Sequence, residues 1–145
     1  MEVQATFDDV NLILRLYELR REAKLRAARE WFAKNFKAST PEELAALCPP
    51  GSEENAYYRM VVSYWEMAAS FITSGVLNQE LFFQSGGELL LVYERIKELL
   101  PKLRDQFRNP LLYANLEKVA LAFIKWMNKN APGAYDAFAA RVRGG

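Results

Sequence analysis

The chain has 145 residues, 51% hydrophobic, 13% aromatic and 26% charged, a globular composition of one domain's length that excludes disorder. Its net charge of +1 divides into +2 over residues 1–40, −5 over 41–87 and +4 over 88–145, with mixed signs throughout, so no basic stripe for nucleic acid is expected. There is no histidine and a single cysteine, Cys48, which removes imidazole catalysis, His-ligated metals and an internal disulfide, and makes a reducing, cytoplasmic setting the default.

No segment alternates apolar and polar residues long enough for a strand, and the punctuation throughout is that of helices. The expected fold is all-α: an irregular bundle of four longer helices with two or three short ones, forming one domain over residues 1–145. Thr6 or Asp8 can cap a first helix running to about Phe36, with Val10, Ile13, Leu14, Tyr17, Ala27, Ala28, Trp31 and Phe32 as its apolar positions. At 1.5 Å per residue it would be about 40 Å long. Thr40, Pro41 and Glu43 form a capping box with proline at the first helical position, opening a short helix that Cys48-Pro49-Pro50-Gly51 stops.

Ser52 caps the next helix, and Gly75 ends it as a left-handed residue. Asn78 caps a short helix that Gly86 and Gly87 break. A longer helix from Glu88 keeps Val92, Ile96, Leu99, Leu103 and Phe107 on one face through Pro101, which predicts a kink rather than an end. Asn109 and Pro110 close it and open a helix to about Lys129, with Leu112, Leu116, Val119, Ala120, Phe123 and Met127 on its apolar face. Asn130 to Tyr135 break the chain before a last amphipathic helix. No window approaches the roughly 18 uncharged apolar residues of a membrane span.

The helix after Ser52 raises a specific question. Arg59, Ser63, Glu66, Ser70 and Thr73 fall within about 80° of one another on its surface, and the rest of its circumference is apolar or aromatic. This line is either the strip that reaches water or a buried polar seam. In the second case Glu66 needs a cation and hydrogen-bond donors, with Arg59, Arg95 and Arg104 as candidates. The five residues are the one candidate polar site for a ligand or partner, and Glu66 is expected to be at least half buried, with a structural role.

Trp65-Glu66, the turn Gly75-Val76-Leu77-Asn78 and the segment Arg108-Asn109-Pro110-x-x-Tyr113, followed by Leu116 and Glu117, resemble an uncharacterised bacterial all-helical family. The resemblance covers about half the chain. It implies a helical fold and carries over no functional residue. Members tend to open with a membrane helix, and no such helix is expected here.

No catalytic constellation appears. Glu66, Glu80, Glu88 and Glu94 are not spaced to put two carboxylates on one turn, apart from surface-type pairs such as Glu94 and Glu98. Cys48 lies in a loop among Glu42, Glu43, Glu53 and Glu54, which disfavours a thiolate. The glycines lack the pattern of a phosphate-binding loop, and the terminal Arg-Val-Arg-Gly-Gly follows a helical segment, unlike the tails of ubiquitin-like modifiers. No cofactor, metal or catalytic residue is expected. The chain is read as a non-catalytic module for a protein partner or for homo-oligomers, joined through the first helix, where Leu19, Ala23 and Arg26 form a weak seam. The alternative is a small-molecule-binding or sensing domain with an aromatic pocket between helices, oriented by Arg59 or Glu66.

Overall fold

A computed structural model describes residues 3–144. Among them are nine helices and no strand: α1 Phe7–Arg20, α2 Ala23–Asn35, α3 Pro41–Leu47, α4 Glu53–Thr73, α5 Gln79–Phe83, α6 Glu88–Ile96, α7 Leu99–Phe107, α8 Ala114–Asn130 and α9 Ala134–Gly144. The all-α architecture is what the periodicity requires. Gly145, the last residue of the Arg-Val-Arg-Gly-Gly tail, lies outside the described residues; Arg141 to Gly144 are helical.

The local caps are those the sequence calls for. Thr40 Oγ1 accepts from Glu43 N at 3.1 Å, and Glu43 reaches back to the Ser39 N–H at 3.1 Å. Ser52 Oγ accepts from Asn55 N at 3.1 Å and Asn78 Oδ1 from Leu81 N at 2.9 Å. Gly75 takes φ +85°, a left-handed conformation that closes α4 at little steric cost to glycine. Gly86 is needed for another reason: a Cβ there would lie 2.5 Å from the Phe82 ring, so the missing side chain lets that ring pack against the backbone.

Two of the expected long helices are divided. The first breaks at Arg21 and Glu22, and the carboxylate of Glu22 accepts from Lys24 N and Leu25 N, both at 3.1 Å, as the N-cap of α2. α1 is therefore only about 21 Å long, and no continuous seam through Leu19, Ala23 and Arg26 exists. The second breaks at Lys97 and Glu98, four and three residues before Pro101. Pro101 has no N–H for the Lys97 carbonyl and its ring crowds that carbonyl, so the chain turns there instead of kinking. α8 starts at Ala114 rather than Pro110, because Asn109 Oδ1 binds Leu111 N at 3.0 Å in a turn and Tyr113 takes a left-handed φ of 53°.

α4 is the central helix. It buries Tyr58, Val61, Val62, Tyr64, Trp65, Ala68, Ala69 and Ile72 and packs against α2 on one side and α8 on the other. Phe32, Phe36 and Tyr58 stack with ring centroids 4.6 and 5.3 Å apart, and Phe83 stacks on Phe123 at 4.4 Å. Leu116, Val119, Ala120 and Phe123 are buried as their shared face predicts. Glu94 corrects an expectation: it is no surface carboxylate but a buried one, paired with Lys97 Nζ at 3.0 Å.

The apolar positions of α1 divide in two. Leu16 is buried and Ile13 packs on the core, whereas Val10, Leu14 and Tyr17 are 42%, 53% and 46% exposed, and Phe7 is 78% exposed. α1 is held by polar contacts as well as by Leu12, Ile13 and Leu16. Asp9, buried, accepts from Thr6 N at 2.7 Å, from Thr6 Oγ1 at 3.2 Å and from Asn78 N at 2.8 Å, and these backbone donors hold its carboxyl below the usual range. A carboxyl depressed in the folded state stabilises the fold above its unfolded pKa, and that contribution is lost as pH falls through the folded one. Asp9→Asn should therefore melt below wild type at neutral pH, with the gap closing as pH falls below the ordinary aspartate value of about 4. A gap that persists unchanged in acid melts would rule out the ionised form as the stabilising one.

Candidate functional site

The polar line of α4 resolves into separate local bonds around one long-range contact. Arg59, exposed, donates to Asn55 Oδ1 at 2.9 Å; Ser63 donates to the Arg59 carbonyl at 2.5 Å and Ser70 to that of Met67 at 2.6 Å. Thr73 Oγ1 donates to Asn115 Oδ1 at 2.6 Å. Glu66, half-buried, accepts from Asn115 Nδ2 and from the Leu116 N–H, both at 2.8 Å.

Glu66 thus caps α8. The N-cap residue of that helix, Tyr113, makes no side-chain hydrogen bond to its first turn. A helix leaves its first four N–H groups unbonded, and a carboxylate placed there gains both hydrogen bonds and the helix dipole. Among the described residues no arginine pairs with Glu66. Arg104 instead donates to the Leu112 carbonyl and to Glu117, both at 2.9 Å, and Arg95 to the carbonyls of Phe36 and Ala33 at 2.7 and 3.0 Å. The line is therefore neither a seam built on an ion pair nor a bare water-facing strip, and the structure does not gather its five residues into a pocket.

A groove does form elsewhere, between α1, α4 and the α5–α6 turn. It has a volume of about 320 Å³ and is almost wholly apolar, with Trp65 and Phe82 at its base, Ile13, Leu16 and Tyr64 along its wall and Leu14, Tyr17 and Arg20 at its lip. Tyr64 and Trp65, on the apolar circumference of α4, are buried; where an aromatic pocket would open was not legible, because no periodicity tells which apolar positions of α1 stay uncovered.

Its polar frame is fixed. Arg29 makes a bidentate pair with Glu88, at 2.8 and 2.7 Å, and its third nitrogen donates to the Arg20 carbonyl at 2.9 Å. The hydrogen bond with Glu88 raises the Arg29 pKa, with burial acting in the opposite direction. Trp65 Nε1–H donates to the same Glu88 carboxylate at 3.2 Å, which sets the indole in the groove floor. Tyr64 donates its hydroxyl to the Leu16 carbonyl, and burial pushes its pKa up to about 12, so the donor stays protonated. The Arg20 guanidinium lies 5.2 Å from the Tyr17 ring centroid and 5.6 Å from that of Trp65, with no carboxylate partner among the described residues.

No group of three or more His, Cys, Asp or Glu side chains converges among the described residues, and no helix there is long and apolar enough to cross a membrane. The class defined is an all-α domain in which several charged side chains bond helix ends and an apolar groove lies beside the first helix. The chain belongs to the family described as a domain of unknown function, DUF4760, whose model matches residues 5–126 and so takes in the groove and Glu66 but not α9. No curated protein and no solved structure matches it.

Two outcomes test these assignments. Glu66→Ala should cost about 1–3 kcal/mol, the range for a lost helix cap and its charge-assisted bonds; Glu66→Gln should cost less, since its amide oxygen keeps one acceptor. Unchanged urea midpoints for both would refute the cap. Cys48 is 1% exposed, and burial with Glu54 nearby pushes its thiol up to about 11. Maleimide should leave the folded chain unlabelled at neutral pH and label it in denaturant.

Proposed function

We propose that the chain is a non-catalytic self-association module whose contact is the outer face of α1. Phe7, Val10, Leu14 and Tyr17 recur every three or four residues on the side of that helix away from the core, all exposed. The stripe carries the proposal, since a contiguous row of large apolar side chains marks an interaction site more often than it occurs on a monomer.

Asp8 and Arg15 lie on the far side of α1 from this stripe and Asp9 is buried on Thr6 and Asn78, so the contact is an apolar one. Two copies laid antiparallel are favoured by their helix dipoles. The non-catalytic part of the reading rests on the absence of histidine. A reducing, cytoplasmic setting belongs to the same reading and is supported by the lone Cys48.

A second reading is favoured by the groove itself, whose 320 Å³ falls at the lower end of small-molecule sites. Arg20, rather than Arg59 or Glu66, would be its orienting group. Sedimentation from micromolar to millimolar chain separates the two. Self-association predicts a mass that rises with concentration and a Leu14→Lys variant that stays monomeric with an unchanged melt, Leu14 being largely exposed. A wild type that remains monomeric throughout and is stabilised by a small apolar anion in thermal-shift screening would overturn self-association in favour of the ligand site.

A further inference from the structure

The groove between α1, α4 and the α5–α6 turn is apolar except at one end. Arg20, half-buried, is the one charged side chain in its lining among the described residues. The carboxylate bonded to the groove floor, Glu88, is already neutralised: Arg29 holds it at 2.8 and 2.7 Å, and the Trp65 N–H at 3.2 Å. Arg20 pairs with no carboxylate among the described residues. Its guanidinium lies 5.2 Å from the Tyr17 ring centroid and 5.6 Å from that of Trp65, and the Arg21 guanidinium lies 5.6 Å from the Tyr17 centroid. Rings hold the Arg20 cation at the lip, and its planar fork of N–H groups is left for an anion.

We infer that this groove binds a small aryl carboxylate, with its ring over Trp65 and Phe82 and its carboxylate on the Arg20 guanidinium. This rests on the ligand-site reading of the groove and goes beyond it by naming the ligand's charge, body and direction; it does not depend on self-association. Charge selects the head group. A cationic head would meet Arg20 and no free carboxylate, whereas a carboxylate matches the guanidinium with two parallel hydrogen bonds. Volume sets the body: an apolar cavity of about 150 Å³ takes up one benzene molecule, so about 320 Å³ holds one or two fused rings. Trp65 and Phe82 meet edge to face, with centroids 6.4 Å apart and 70° between their planes, so a flat ring stacked on either lies edge to face with the other. A saturated chain would gain burial alone. The Tyr64 hydroxyl on the Leu16 carbonyl and Arg29 on that of Arg20 fix the wall before a ligand arrives, so binding need not order it.

The test titrates the full chain with naphthoate, naphthamide and decanoate by calorimetry. Naphthoate should bind with a dissociation constant below about 1 mM. Removing the charge on either side, with naphthamide or with Arg20→Gln, should weaken binding about tenfold, as for the loss of charge-assisted hydrogen bonds, and Arg20→Gln should leave the thermal melt unchanged. The three tryptophans report the place of binding. Naphthoate should move the indole N–H resonance of Trp65 and leave those of Trp31 and Trp126 in place. Trp126 lies in a second aromatic trough, lined also by Phe83, Phe123 and Phe138 and edged by Arg141, so Arg141→Gln serves as the control and should bind as wild type does.

Naphthamide binding as tightly as naphthoate, with the Trp65 resonance moved by both, would overturn the anion while leaving the groove a ligand site. Decanoate binding more tightly than naphthoate would overturn the aromatic body in the same way. A shift confined to Trp126, with affinity lost in Arg141→Gln and kept in Arg20→Gln, would place the ring in the other trough and overturn the inference. No heat and no shift with any of the three compounds would overturn both the inference and the ligand-site reading beneath it.

Discussion

The constraint on which the rest depends is the satisfaction of helix ends. Every helix leaves N–H groups at its start and carbonyls at its finish without intrahelical partners, and nine helices in so short a chain multiply those ends. This chain meets many of them with charged side chains reaching across from other elements. Glu66 of α4 binds the start of α8, Arg95 of α6 the carbonyls that close α2, and Arg29 of α2 the carbonyl that ends α1. Asp9 binds both the start of its own helix and the Asn78 N–H ahead of α5. The signs follow the helix dipole, with acids at N-termini and guanidinium groups at C-termini. Charges so engaged are structural, which explains why several half-buried ionisable groups form no converging cluster.

The same constraint decides how much of the fold could be read from the sequence. Caps supplied locally by Ser, Thr or Asn were legible: Thr40, Ser52 and Asn78 each accept the backbone bond expected of them. Glu22 was not, since a glutamate amid Arg and Lys looks like an exposed helical residue until its carboxylate is seen on Lys24 N and Leu25 N. The apolar periodicity runs through the break because α1 and α2 both turn a face to the core. Pro101 was legible as a disturbance but not in kind, because kink and turn differ only in where the displaced Lys97 carbonyl goes.

The candidate sites follow the same division. That Glu66 would be hydrogen-bonded was legible from its setting among Tyr64, Trp65 and Phe71. Its partners were not, because they come from a helix start fifty residues away whose position depends on the Asn109 turn and the left-handed Tyr113. The groove was hidden for a related reason. Val10, Leu14 and Tyr17 have the spacing of a core face, and only the position of α1 shows that Leu16 and Ile13 take that role instead.

How α1 is held bears on what its outer face can do. A helix of 14 residues is marginal by itself in water, and only its narrow inner face packs on the core. Hydrogen bonds fix it at three heights: Asp9 to Asn78 near its start, Leu16 to Tyr64 in its middle and Arg20 to Arg29 at its end. Each joins the helix to a different element, so polar geometry adds to the packing of Leu12, Ile13 and Leu16 in setting its register over α4. The outer stripe is accordingly ordered before anything meets it, and contact through it need not bear the entropy of folding the helix. The same bonds keep the groove open, since Tyr64 and Arg29 hold α1 at a set distance from Trp65 while Glu88 fixes the indole beneath.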